Sequence, residues 1–365
     1  MILRIGPLTL RLCLGLVLAL GAVHGFSAAF PVPAAAQDAG QPAADDAARA
    51  AQRKAFAEWL KGVREEGLKR GIRKETLESA LTGLTPIERV VQLDRRQPEF
   101  VQTFAQYIAA RVSPWRVKTG RERIAEHRQA LDRIAKKYGV QARFIVALWG
   151  IETSFGRATG SFSVVQALAT LAFDGRRSAY FRKELFNALE IIDAGHITAA
   201  SMKGSWAGAM GQNQFMPSSF LAYAVDEDGD GRRDIWGTRA DVFASSANYL
   251  RKSGWRDDQT WGREVKLPEG FAAKLPELMP KSSKGCRDLK KLSVEKTLPQ
   301  WSALGVRATD GKPLPKRPDL KASLVLPDGP GGPALLVYGN FRATMKWNCS
   351  VLFAAAVGML ADRLR

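Results

Sequence analysis

The stretch ALWGIETSFGR, Ala147 to Arg157, places one carboxylate, Glu152, after the apolar residues Phe144, Ile145, Val146, Leu148, Trp149 and Ile151, with no partner charge beside it. Burying an ionised carboxylate is costly, so Glu152 must either be paired or keep its proton to a higher pH than a free Glu. The ordinary reading is a glutamate at a helix end, reaching solvent or nearby backbone groups. The chemical reading is a general acid. Glycoside cleavage needs an acid to protonate the leaving oxygen, and an apolar setting moves a carboxyl into the useful range. A second carboxylate usually acts as base or nucleophile. None lies near Glu152 in sequence, and Asp174 and Glu184 stand in more polar contexts. Either the fold brings a partner in, or the substrate supplies its own nucleophile.

Other chemistries are poorly supplied. Past the N-terminal leader the only histidines are His127, on a charged helix face, and His196, in an expected turn. There is no H-E-x-x-H and no C-x-x-C, which disfavours a transition-metal site. There is no G-x-S-x-G elbow and no Walker A pattern, which disfavours α/β-hydrolase and phosphate-loop chemistry. Carboxylate chemistry remains, and it needs no cofactor.

Two further constellations accompany Glu152. GSWAGAMGQNQFMPSSF, Gly204 to Phe220, combines small residues with Trp206, Gln212, Asn213 and Gln214. Sugar rings suit such a mixture of apolar faces and amides, although a tight core turn reads the same way. In DEDGDGRRDIW, Asp226, Asp228 and Asp230 fall at positions 1, 3 and 5 of an EF-hand loop, Gly231 at 6 and the Arg232 carbonyl at 7. Position 12, where a bidentate Glu belongs, is Gly237, so Asp234 or Asp241 must compensate if calcium is held. The competing reading is a solvated acidic turn.

These residues need elements to position them. Helical spacing runs through Phe56 to Gly71, TLESALTGL, FVQTFAQYIAARV, VVQALATLAF, FRKELFNALEIIDAG and DVFASSANYLRKSGW, and it predicts a single amphipathic helix over Gly120 to Gly139. After about Thr260, WGREVKLP, KASLVLP and ALLVYG read as short strands, and VLFAAAVGMLADRL as a closing helix. The expected class is mainly α (α+β). Residues 53–260 form a helical region, 261–340 a small β-containing subdomain, and 341–365 a C-terminal segment packing back on the core. No repeat at periods of roughly 20 to 50 residues appears.

Composition bounds the rest. The 365 residues are 46% hydrophobic and 25% charged, with a formal net charge of +18. Such a charge favours acidic polymers, or is simply a solvated basic surface. At the N-terminus, Arg4 and Arg11 precede an apolar run from Leu12 to Val23, and small residues end in Ala34-Ala35-Ala36. This reads as a signal peptide over 1–36 cleaved near Ala36, followed by a flexible linker over 37–52. Export to the periplasm follows, without lipidation, since Cys13 sits early in the apolar run. An anionic polymer met there belongs to the envelope, and nucleic acid is disfavoured as a partner. No later stretch approaches about 18 consecutive apolar residues, so the mature chain is expected to carry no membrane span. Cys286 and Cys349 remain, either as a disulfide or as two free thiols.

The ordered motifs QPEF (Gln97 to Phe100), WGIETSFG, ALATLAFDGRR, GSWAGAMGQNQFMPSSF, the DGDG loop, NYL-x-x-x-GW and NFRATMKWN-x-S together give a resemblance. From about Phe56 to Arg365 the chain resembles the membrane-bound lytic transglycosylase B family of bacterial murein-degrading enzymes, in a soluble exported form. The resemblance implies a lysozyme-like helical core acting on peptidoglycan glycan strands between N-acetylmuramic acid and N-acetylglucosamine. It implies that Glu152 is the sole catalytic acid/base and that the product ends are 1,6-anhydromuramyl. It assigns glycan contacts to Ser205, Gln214, Tyr249 and Asn348, and contacts to the peptide stem to Arg176 and Arg177. It also implies a structural calcium ion on Asp226, Asp228, Asp230 and Arg232, with Asp241 as the late acidic ligand. Departures occur at Trp347 and Phe353, where some members have Tyr, and at Asn213, which replaces a smaller residue. Trp347 is expected to keep an aromatic face for sugar contact. The rivals are a muramidase that uses water and a non-catalytic murein-binding scaffold; any cell-wall machinery partner is left unspecified.

Overall fold

Apolar residues spaced by about 3.6 dominate the chain from Phe56 onward, and helices follow them. The computed structural model describes residues 41–95, 102–280, 282 and 285–365, with residues 41–45 described by their backbone alone. The expected signal peptide and the QPEF motif lie outside the described residues. Helix α1 (Gln41–Lys69) covers most of the expected linker, so residues 41–52 are helical rather than flexible coil. The run is rich in Ala, the best helix former, and Pro42 falls in the first turn, where a missing N–H costs little. Of the unit formed by residues 1–48, only these first turns of α1 are described; residues Arg49–Arg365 form one compact unit.

That unit continues with α2 (Lys74–Leu81), α3 (Glu88–Arg95), α4 (Phe104–Arg111), α5 (Pro114–Glu126), α6 (Arg128–Tyr138) and α7 (Ala142–Thr153). Next come α8 (Val164–Asp174), α9 (Ser178–Asp193), α10 (Pro217–Tyr223) and α11 (Arg239–Lys252). The single helix expected over 120–139 is two helices, parted at His127, which has φ −107° and ψ 21°. The break turns His127 from a charged face onto the rings of Trp149 and Phe243, at 6.0 and 5.3 Å. Aromatic packing there outweighs one regular helical turn.

A small antiparallel sheet follows. Strands β1 (Phe162–Ser163) and β2 (Lys203–Gly204) pair with each other in the helical body. The five-stranded sheet comprises β3 (Gly262–Lys266), β4 (Lys296–Thr297), β5 (Arg307–Ala308), β6 (Lys321–Val325) and β7 (Ala334–Val337), in the order β4-β6-β7-β3-β5. Helices α12 (Leu275–Leu278) and α13 (Leu298–Ala303) lie within this lobe, and α14 (Gly339–Trp347) and α15 (Val351–Arg363) close the chain. The sheet covers its own core of Leu298, Trp301, Val306, Leu324, Leu336 and Tyr338. The lobe is nonetheless part of the compact unit rather than a separate one.

Two larger cores fill the helical body. One surrounds α7 and takes in Phe144, Trp149, Phe243, Phe341 and Ala355; the other surrounds α8 and α9 with Leu168, Phe181, Leu185 and Phe215. Trp347 packs against both. The chain turns by 117° between α14 and α15, and a disulfide joins Cys349 in that corner to Cys286. Among the described residues no single helix is long and apolar enough to cross a membrane.

Candidate active site

Glu152 sits in the last turn of α7, whose residues 144–150 are all buried. The helix stops abruptly. Ser154 and Phe155 take φ of 51° and 62°, left-handed values that non-glycine residues rarely adopt, and Gly156 follows at 82°. Only one other non-glycine among the described residues does this, Gln214 at 51°, so the strained backbone collects around the predicted site. Arg116 braces the turn, donating from Nε to the Gly150 carbonyl at 3.0 Å and from Nη2 to Ser154 Oγ at 3.1 Å.

The carboxyl of Glu152 is partly buried, and Trp347 Nε1–H donates to its Oε1 at 2.7 Å. Desolvation pushes its pKa up to about 7, against an opposing pull from the indole hydrogen bond, which favours the charged form. No other carboxylate bears on it among the described residues. From α4, Tyr107 faces the same charge, and burial together with Glu152 raises the phenol. The Arg111 guanidinium lies 5.1 Å from the Tyr107 ring.

The residues expected to contact sugar divide. Gln214 spends both amide donors on the Thr159 and Gly211 carbonyls, at 3.1 and 2.9 Å, and leaves its Oε1 without a partner among the described residues. Ser205 Oγ accepts the amides of Ala207 and Ala209 at 3.3 and 3.0 Å, so its own proton is the group left to offer. The backbones here approach very closely: a Cβ on Gly160 would lie 2.1 Å from the Gly204 carbonyl oxygen. Asn348 is exposed in the α14–α15 corner. Tyr249 departs from expectation. It is only 7% exposed, its hydroxyl donates to the Lys346 carbonyl at 2.6 Å, and its ring backs Trp347 at 4.8 Å. It therefore forms the wall behind Trp347, and burial raises it to about 12. Gln212 and Asn213, read as sugar-binding amides, are buried scaffolding. Gln212 Oε1 accepts from the Trp149 indole at 2.8 Å, and Asn213 Nδ2 donates to Val242 O and Ser246 Oγ at 2.8 and 2.7 Å.

Arg176 and Arg177 also differ from expectation. Both are held by buried Asp94, with Arg176 Nε on its Oδ2 at 2.6 Å and Nη2 on its carbonyl at 2.8 Å, while Arg177 takes Oδ1. The Arg176 hydrogen bond, with Arg177 beside it, holds Asp94 below the usual carboxylate range. The two side chains remain 51% and 41% exposed, so their outer faces still reach solvent.

In the acidic loop, Asp226, Asp228 and Asp230 each bring a carboxylate oxygen within 4.8 Å of the others. Asp241 does not join them. Its two oxygens accept the amides of Glu227 and Asp234, at 2.8 and 2.7 Å, and so tie the two sides of the loop. Arg232 turns its guanidinium onto Asp230 at 3.1 Å. A hollow of about 660 Å³ lined by Leu275, Met279, Arg287, Lys290 and Leu324 lies in the sheet lobe and contains none of the predicted site residues.

A family model described as the transglycosylase SLT domain matches residues 55–362. The chain belongs to the transglycosylase SLT domain family. Within it, the chain is similar to the membrane-bound lytic murein transglycosylase B of Escherichia coli (strain K12), 40% identical over 169 residues. That match covers 45% of this chain and 46% of the relative, so it spans about half the length of the relative. Among solved SLT-type structures, SltB3 from Pseudomonas aeruginosa in complex with NAG-anhNAM-pentapeptide is similar at TM-score 0.78 and 43% identity, covering 84% of this chain and 78% of that one. Escherichia coli Slt35 in complex with calcium is similar at TM-score 0.67 and 28% identity, covering 84% and 92%. The fold is accordingly the mainly helical, lysozyme-like one, with a small antiparallel sheet.

Three features of this SLT-domain site escape sequence reading. Asp94 lies in an ordinary amphipathic helix, and nothing local marks it as the anchor of a distant arginine pair. Tyr107 is one aromatic among several in FAQYIAAR, and only the packing of α4 brings it to Glu152. The indole of Trp347 reads as a flat surface, whereas the fold uses its single donor. A Trp needs a partner for Nε1–H when buried, and an unpaired buried Glu needs a donor, so the pairing was the available signal.

Proposed function

We propose that the protein is an exported lytic transglycosylase that cuts the β-1,4 bond between N-acetylmuramic acid and N-acetylglucosamine in peptidoglycan. One observation carries this reading: Glu152 is a lone carboxyl, kept protonated near neutrality by desolvation, with a single hydrogen-bond donor and no second carboxylate acting on it among the described residues. Such a group gives its proton to the glycosidic oxygen as the bond to the anomeric carbon breaks. The resulting carboxylate then takes the proton of the muramyl 6-hydroxyl, whose oxygen bonds to the anomeric carbon. The 1,6-anhydro end forms, Glu152 is again protonated, and no water is consumed. SltB3, solved with a NAG-anhNAM-pentapeptide, supports a product of this kind.

In this reading the Gln214 amide oxygen, the Ser205 hydroxyl and the exposed Asn348 meet the acetamido sugars, and Trp347 presents its free face beside Glu152. The outer faces of Arg176 and Arg177 meet the carboxylates of the stem peptide. Calcium suits the acidic loop: Asp226, Asp228 and Asp230 already converge, the Arg232 carbonyl follows at the seventh position, and Asp241 sets the loop width. The ion would supply structure and no chemistry. The leader directs the chain to the periplasm, where an oxidising environment accords with the Cys286–Cys349 disulfide. Mass spectrometry of products from purified sacculi tests the reading. Anhydromuramyl ends are expected; reducing muramic ends would indicate a muramidase, and intact sacculi a binding scaffold.

A further inference from the structure

The Cys286–Cys349 bridge ends two residues beyond Trp347, whose indole donates the hydrogen bond to Glu152. Trp347 is the last residue of α14, and Cys349 lies two residues on, in the corner before α15. On one side that corner is pinned to α11, through Tyr249 Oη on the Lys346 carbonyl at 2.6 Å and Lys346 Nζ on the Ser253 carbonyl at 3.0 Å. On the other side it is pinned to the 3₁₀ turn Arg287–Lys291: the Val351 amide donates to Asp288 Oδ2 at 3.2 Å, and Cys286, at the head of the turn, takes the disulfide. The 3₁₀ turn belongs to the sheet lobe, 63 residues earlier in the chain. Without the covalent link, the turn holds the corner through the Val351–Asp288 bond and the packing of Leu289 on the core that contains Val351.

We infer that the Cys286–Cys349 disulfide is a positioning element for Glu152, acting through Trp347 by fixing the Asn348–Ser350 corner so that the indole stays on the carboxylate. The inference rests on the proposed acid/base role of Glu152. Among the described residues the titratable groups around that carboxyl are Tyr107 on α4, with Arg111 behind it, and Tyr249 on α11, behind Trp347; Glu152 makes no ion pair. Both phenols are raised and stay neutral across the working range. The alkaline limb of activity therefore reports Glu152. The indole bond favours the charged carboxylate, so slackening it keeps the proton on to higher pH.

The test compares pH–activity profiles on sacculi for the full chain, Trp347→Phe, the double variant Cys286→Ser/Cys349→Ser, and the triple variant. The Glu152 carboxyl is followed in parallel by carbon-13 NMR without substrate. Trp347→Phe is expected to move the alkaline limb and the NMR titration to higher pH. The double variant should move both in the same direction by at least half as much, and the triple variant should match Trp347→Phe alone, since the bridge then has nothing left to position. If the double variant fails to fold, the native protein is treated with a dithiol, which gains the new cyclic disulfide as the bridge takes two electrons and two protons to become thiols. A double variant or reduced protein whose limb and titration overlay the parent's, with only stability lowered, overturns the inference. Retained turnover by Glu152→Gln would instead defeat the acid/base reading, while the substrate-free titration would still answer for the bridge.

Discussion

At the scale of single residues, Glu152 carries two opposed demands, and each is measurable. In the proposed reaction it acts as acid and then base, so Glu152→Gln should lower turnover by roughly 10² to 10⁴-fold while the fold persists. The same carboxyl also costs stability. Its pKa is raised from 4.5 to about 7, so the folded chain holds a proton that the unfolded chain has already released in that interval. Stability contributed by this group is complete below about pH 4.5 and is lost as pH climbs through 7. Glutamine carries no such penalty. Relative to the parent, Glu152→Gln should gain on the order of 3 kcal/mol at pH 8 and nothing at pH 4. Denaturant titrations at the two pH values check this, and equal differences at both would mean that Glu152 is not desolvated as described. The sequence predicted this raised carboxyl from its apolar neighbours, because the residues that precede it in α7 are themselves buried. It did not predict the Trp347 donor, which comes from nearly two hundred residues away.

Elements were legible where the cause is local and hidden where it is not. The 3.6-residue spacing located α2, α4, α8, α9 and α11, and β3, β6 and β7 fall where alternation and β-branched residues placed strands. The two-residue strands β4 and β5 have no pattern to read; they exist because β6 and β3 offer an edge. The break at His127 and the helical start of α1 were missed for opposite reasons, tertiary aromatic packing in one and a helix propensity discounted against a linker-like composition in the other. The arginine pair shows an element built from afar: α3 supplies Asp94, and the turn before α9 supplies Arg176 and Arg177. Asp94→Asn should cost about 1 to 2 kcal/mol, discounted for the exposure of both arginines. It should also raise KM for peptide-bearing glycan more than for glycan stripped of its stems. Equal effects on both substrates would confine the pair to a structural role. In the acidic loop the two kinds of aspartate should separate. Calcium should raise Tm in the parent, and Asp228→Ala should abolish that response with little effect when calcium is absent. Asp241→Ala, which orphans two amides beneath the loop, should cost about 2 kcal/mol with or without the ion. A normal calcium response in Asp228→Ala would remove that residue from the ligand set.

On the scale of the whole molecule, the decisive feature is the seam between the two helical cores, where Trp347 packs on both and Glu152 meets it. No window of sequence contains that seam, since α7, α11 and α14 are brought together only by folding. The net charge of +18, by contrast, is fully legible in composition, and it acts at a range that local packing does not. A basic surface raises the encounter rate with an anionic polymer, and that gain fades as the screening length shrinks from about 10 Å at 0.1 M salt to about 3 Å at 1 M. The chemistry proposed for Glu152 belongs to a partly buried carboxyl set by desolvation and one hydrogen bond, which salt screens weakly. Ionic strength should therefore separate capture from catalysis. On intact sacculi, kcat/KM is expected to fall about tenfold or more between 0.05 and 0.5 M sodium chloride, whereas kcat on saturating, soluble, uncharged glycan fragments should change by less than about twofold. If both fall together, salt is acting on the folded site and not on the encounter. If neither moves, the basic surface is simply solvated, and recognition rests wholly on the sugar contacts proposed for Gln214, Ser205 and Asn348.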